Sequence, residues 1–104
     1  FLGGNDNSTA NYVKHVRYVA DLVGTQHVGM GLDYVFDRQE LDEYVTSNPA
    51  IFPPALGYGA GSKMVEPEQI PTIAESLLAT GWSDADLEGF LGGNNLRVAE
   101  AVWK

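Results

Sequence analysis

The chain has 104 residues, and its 14 acidic against 6 basic side chains leave a formal charge of −8. That length suits one domain with a modest core, and the acidity argues against nucleic acid or an anionic membrane surface as a partner. Cysteine is absent, which excludes a disulfide framework and a thiolate metal site, and no apolar run approaches the roughly 18 residues of a membrane-spanning helix.

Phe1-Leu2-Gly3-Gly4 reads as the tail of an apolar segment entering the polar loop Asn5-Asp6-Asn7. With no leader peptide and Phe1 where an initiating methionine would stand, the sequence looks cut from something longer, and a cytoplasmic setting is favoured. Ser8 can cap a helix in which Tyr12, Val13, Val16, Val19, Ala20 and Val23 recur at three- and four-residue spacing. Gly24 is a natural stop. After the short link Thr25-Gln26 comes His27-Val28-Gly29-Met30-Gly31-Leu32-Asp33, whose alternation predicts a buried β-strand. Val28, Met30 and Leu32 share one face; His27, Gly29, Gly31 and Asp33 share the other. Asp33 would then stand at the C-terminal lip of the strand, where parallel α/β folds keep their chemistry. The alternative is that Asp33 caps the turn after the strand.

Beyond Asp33 the pattern predicts a short helix over 39–46, ended by Asn48-Pro49. Residues 49–66 mix prolines and glycines with Ile51, Phe52, Leu56 and Tyr58, a composition that predicts a long loop packed near the site. Pro67 or Pro71 opens a further helix whose buried face is Ile73, Ala74, Leu77 and Leu78, with Gly81 as its end. Ser83 with Asp86 forms a weak capping box for the next helix, in which Leu87, Phe90 and Leu91 face inward and Gly92-Gly93 forms the stop. Asn94 is the expected cap of a last helix bearing Leu96, Arg97, Val98, Ala99 and Val102. One strand among several helices raises a physical difficulty, because each buried backbone group without a partner costs about 1–3 kcal/mol. Its ladder partners must come from residues outside this chain or from another chain.

The run HVGMGLDYVFD, preceded by YVKHVRYVADLVG and followed by LLATGWSDADLEGFLGGNNLRVAEAVW, resembles the C-terminal part of the renal (membrane) dipeptidase family of metallopeptidases. Nearly the whole chain takes part, and the most specific pieces are Gly31 to Asp33 and the closing GGNNLRV at Gly92 to Val98. The resemblance implies an α/β fold, with this chain as the C-terminal quarter of a (β/α)₈ TIM barrel of the amidohydrolase type. It also implies two zinc ions per complete barrel, held by ligands outside this chain, and hydrolysis of dipeptides. By position, Asp33 matches the family's aspartate at the end of strand eight, beside the metal-bridging water and the substrate's amino end. A carboxylate there can orient the water and carry its proton to the leaving amine. Many members have a second aspartate two residues later, followed by glycine, where this chain reads Asp33-Tyr34-Val35-Phe36-Asp37. Tyr34 and Phe36 are therefore candidate substrate walls beside Asp33.

His15 and His27 are expected to be structural, His27 lying about 20 Å from Asp33 at ~3.3 Å per strand residue. The implied partners are a dipeptide and the remaining N-terminal part of the barrel, and a homodimer is compatible with the pattern. Isolated, the chain is expected to be inactive. Two other readings stay open: a catalytically inactive barrel, and a binding module in which 73–103 forms a three-helix fold like that of ubiquitin-associated domains.

Overall fold

Local hydrogen bonding opens the first helix. In the computed structural model, which describes residues 4–103, the Ser8 hydroxyl accepts the Asn11 N–H at 3.2 Å and starts α1 (Thr9–Val23). Gly24, at φ +91°, closes α1 by donating its N–H to Ala20 O at 2.8 Å. Tyr12, Val13, Val16 and Ala20 are buried, whereas Val19 and Val23 of the same stripe are exposed. The N-terminal apolar tail over residues 1–3 lies outside the described residues.

No strand exists among the described residues, which form an all-helical structure rather than the expected α/β barrel quarter. The predicted strand begins as a 3₁₀ turn, Thr25–His27, and continues to Phe36 as a strap without a ladder. The physical reason is the one the sequence raises: nothing in the chain offers a second strand. The strap's polar groups turn to helices and side chains instead. Met30 N–H donates to Phe90 O at 3.0 Å, Tyr12 Oη donates to Gly31 O at 3.2 Å, and Asn94 Nδ2 donates to Val28 O at 2.9 Å. Alternating apolar residues here record a strap buried along one edge, with Val28 inside and Met30 and Leu32 partly covered.

Asp37 caps α2 (Arg38–Ser47), its carboxylate accepting the Glu40 N–H at 2.9 Å, and Asn48 ends it. The long loop packs only in part. Tyr44, Phe52 and Tyr58 stack edge to face at 5.6 and 5.3 Å, and Met64 and Val65 are buried, but Ile51 and Leu56 are 64% and 75% exposed. What reaches the strap is the loop's far end.

Both prolines act. Pro67 starts a 3₁₀ turn, Pro67–Gln69, and Pro71 sits in the first turn of α3 (Ile70–Ala79), where its missing N–H leaves no bond unmade. Ser83 and Asp86 cap each other's backbone at 3.1 Å to start α4 (Asp84–Glu88). Gly92 breaks the helical path as expected, with non-helical backbone at φ 166° and ψ −25°, and after this kink in the π turn Gly89–Gly93 the chain enters α5 (Asn94–Val102). Asn94 is thus a helical residue and not a cap. The core lies where α1, α3 and the π turn meet, around Ile73, Leu77 and Phe90, all fully buried. Trp82 packs edge-on to Phe90 at 5.8 Å. Ile73, Leu77 and Phe90 share one cluster with Tyr12, Val13 and Val16 of α1, which gives a separate three-helix module over 73–103 no specific support.

Candidate functional site around Asp33

The strap is held by hydrogen bonds from two sides. On one side Tyr12, fixed on the buried face of α1, holds Gly31 O, and burial pushes the Tyr12 phenol above its ordinary value against the smaller opposing effect of that bond. On the other side the closing motif grips the strap's start. Asn94, the buried polar side chain at the head of α5, donates at 2.9 Å to both Thr25 O and Val28 O, while its own oxygen accepts from Arg97 Nη1 at 2.9 Å. Arg97 Nη2 donates to Gln26 O at 2.6 Å.

Between these holds and α2 stands Asp33, exposed, at φ +51°. Left-handed backbone is uncommon for a residue with a Cβ, though aspartate tolerates it better than most. It takes Asp33 out of the extended backbone that alternation predicts for a straight strand. A hollow of about 210 Å³ opens beside it, lined by Tyr12, Gly31, Leu32, Asp33, Lys63, Met64 and Val65. Met64 also fixes the far side of the turn, its Sδ accepting the Val35 N–H at 3.4 Å.

Tyr34 and Phe36 are not in that lining. They stack on each other edge to face at 4.8 Å, and Phe36 is 84% exposed. Tyr34 lies under the Arg38 guanidinium, 5.5 Å from its ring centre, and Arg38 also pairs with Glu66 at 2.9 Å. A hydrogen bond with Tyr34 is the main reason that Arg38 is held above its ordinary value. His15 and His27 come together on a second hollow of about 350 Å³, with Val19, Val28 and Gly29, separated from the first by Tyr12 and Gly31. Among the described residues no group of three or more His, Asp or Glu side chains converges in a way that could hold a metal.

Two parts of the site escape the sequence reading. Lys63 and Met64 come from a Pro/Gly-rich loop whose far end carries no periodic signal, and only the contact with Asp33's turn reveals them. Asn94 and Arg97 belong to a motif singled out for its resemblance, but a Gly-Gly-Asn run looks like a helix start and hides the grip on residues 25–28.

No family model and no solved structure matches the chain. Among curated proteins it is similar to one named dipeptidase aclJ from Aspergillus oryzae, 35% identical over 92 residues that cover 88% of this chain and 17% of that protein. It is also similar to a protein described as "uncharacterized protein in pqqA 5'region" from Klebsiella pneumoniae, 29% identical over 100 residues, 96% of this chain and 29% of that one. The chain thus spans less than a third of the length of either relative.

Proposed function

We propose that this chain is part of a dipeptide-hydrolysing protein and supplies it with the Asp33 carboxylate. The similarity to a protein named dipeptidase, 35% over 92 residues, carries this reading. The geometry around Asp33 supports it: an exposed carboxylate on a left-handed turn, at the mouth of a hollow with an otherwise mostly apolar wall. Such a carboxylate can pair with a substrate's α-ammonium. It can also take a proton from the attacking water as the water oxygen bonds to the amide carbon, and return it to the nitrogen as the C–N bond breaks. The described residues form no metal-ligand set. The dipeptidase resemblance implies two zinc ions with ligands outside this chain, and none of its residues is given a role toward them.

General acid–base groups contribute about 10²–10⁴-fold to turnover, so Asp33→Asn in the full-length protein is expected to lower kcat by about that factor. N-acetylated dipeptides, which lack the α-ammonium, should be poor substrates of the wild type. Steady-state kinetics with free and N-acetylated dipeptides tests both points. Near-wild-type kcat in Asp33→Asn would remove Asp33 from the chemistry.

A further inference from the structure

Among the described residues no hydrogen bond or ion pair holds the exposed Asp33 carboxylate, so its direction is set by the backbone that carries it. That backbone is bracketed. Two residues before Asp33, Gly31 O accepts from the Tyr12 hydroxyl at 3.2 Å; two residues after it, the Val35 N–H donates to Met64 Sδ at 3.4 Å. The two holds are unequal. A thioether sulfur is a weak acceptor, whereas the Tyr12 phenol is a full donor on a ring buried in the same core cluster as Val13, Val16 and Phe90. Burial raises the phenol above its ordinary value, which keeps the proton on Oη at neutral pH. Gly31 is what makes the bond matter. It is exposed, and a Cβ built on it would meet nothing within 4 Å, so no packing restrains its backbone angles. Without the bond from Tyr12, rotation at Gly31 would swing the carboxylate two residues on.

We propose that Tyr12 is a positioning residue, which acts through Gly31 to hold the Asp33 carboxylate at the mouth of the hollow. This rests on the dipeptidase reading and adds to it the side chain that aims the carboxylate. Tyr12 also lines the hollow, so the test separates aim from direct contact by a double-mutant cycle in the full-length protein. Tyr12→Phe keeps the ring that walls the hollow and loses only the bond. A misplacement of about 1 Å can cost about 100-fold in rate, so Tyr12→Phe should lower kcat on alanyl-alanine by about 10–100-fold, with a melting temperature close to that of wild type. Met64→Leu, which removes the weaker hold, should lower kcat by a smaller factor. In the Asp33→Asn background neither change should move kcat by more than about twofold, because no carboxylate is left to aim. Equal losses in both backgrounds would make Tyr12 a structural or substrate-contacting residue and overturn the assignment, leaving the role of Asp33 standing. Wild-type kcat in Tyr12→Phe would overturn it as well. If Asp33→Asn itself keeps wild-type kcat, or the wild type hydrolyses no dipeptide, the dipeptidase reading fails and takes the positioning role with it.

Discussion

An aspartate at φ +51° costs more than one in extended backbone, and the cost depends on what hangs from Cβ. Asp33→Gly relieves the strain; Asp33→Val adds a β-branched side chain to it. In the full-length protein, denaturant titration should therefore place Asp33→Val about 1–2 kcal/mol below Asp33→Gly, although both lose activity. If the two variants are equally stable, the left-handed turn is not part of the folded protein. Two glycines next to the closing motif give a second contrast. A Cβ on Gly89 would meet the Asn94 amide at 2.8 Å, and a Cβ on Gly29 would meet the Asn95 amide at 2.6 Å. Distance alone ranks Gly29 as the worse site, but Asn95 is exposed and can swing away, whereas Asn94 is buried and already bonded to Thr25 and Val28. Gly89→Ala should cost about 1–3 kcal/mol and Gly29→Ala clearly less, by the same titration. Asp33 itself is legible in the sequence because a carboxylate ending a Gly-x-Asp run stands out. Its φ is not, since side-chain alternation fixes faces and carries no information on backbone held by Tyr12 at Gly31 and by Met64 at Val35.

Helix starts are the elements read best, because caps are local chemistry. Ser8 and Ser83 are caps as their sequence contexts predict, and Asp37 is a third that the pattern leaves unread because it follows an aromatic run. The predicted strand fails at this scale for the opposite reason: a ladder is not local, and seven alternating residues cannot show whether a second strand exists. The cap of α4 also carries a pH signature. The Thr25 hydroxyl, donating to Asp86 at 2.7 Å, and then the Ser83 N–H and hydroxyl hold the Asp86 carboxyl below its usual 3.8. In this range the unfolded chain binds more protons than the folded one, so stability rises with pH. The contribution is complete above the unfolded value near 4 and is lost as pH falls through the lower folded value. Asp86→Asn should therefore be less stable than wild type at pH 6, and the difference should shrink as the titration is carried to pH 3. A difference that is constant with pH would show that the carboxylate's charge contributes nothing to the bonds from Thr25 and Ser83.

At the scale of the whole molecule the burial is incomplete. Eleven apolar residues are buried among the described ones, against fourteen large apolar residues that are exposed, among them Tyr18 and Leu22 on α1 and Leu96, Val102 and Trp103 at the end of the chain. The radius of gyration, 15.9 Å, exceeds the ~13 Å expected of a compact domain of about 100 residues. Both facts follow from the same geometry: the strap spends its polar groups on helices at one edge only, and α2 with its loop meets the rest mainly at the loop's far end, through Val65 in the core and the bonds of Asn5 and Asn7 to Gly61, Lys63 and Met64. Fixing each residue costs about 1–2 kcal/mol of backbone entropy, and a core this small offsets it only in part. Residues 1–104 expressed alone should consequently show helical circular dichroism, bind 8-anilinonaphthalene-1-sulfonate through the uncovered apolar faces, and melt over a broad range without a sharp transition. Calorimetry of the purified chain is the direct check. A single sharp, reversible endotherm, with no dye binding below it, would mean that these helices close a sufficient core by themselves and that the exposed faces of α1 and α5 need no covering.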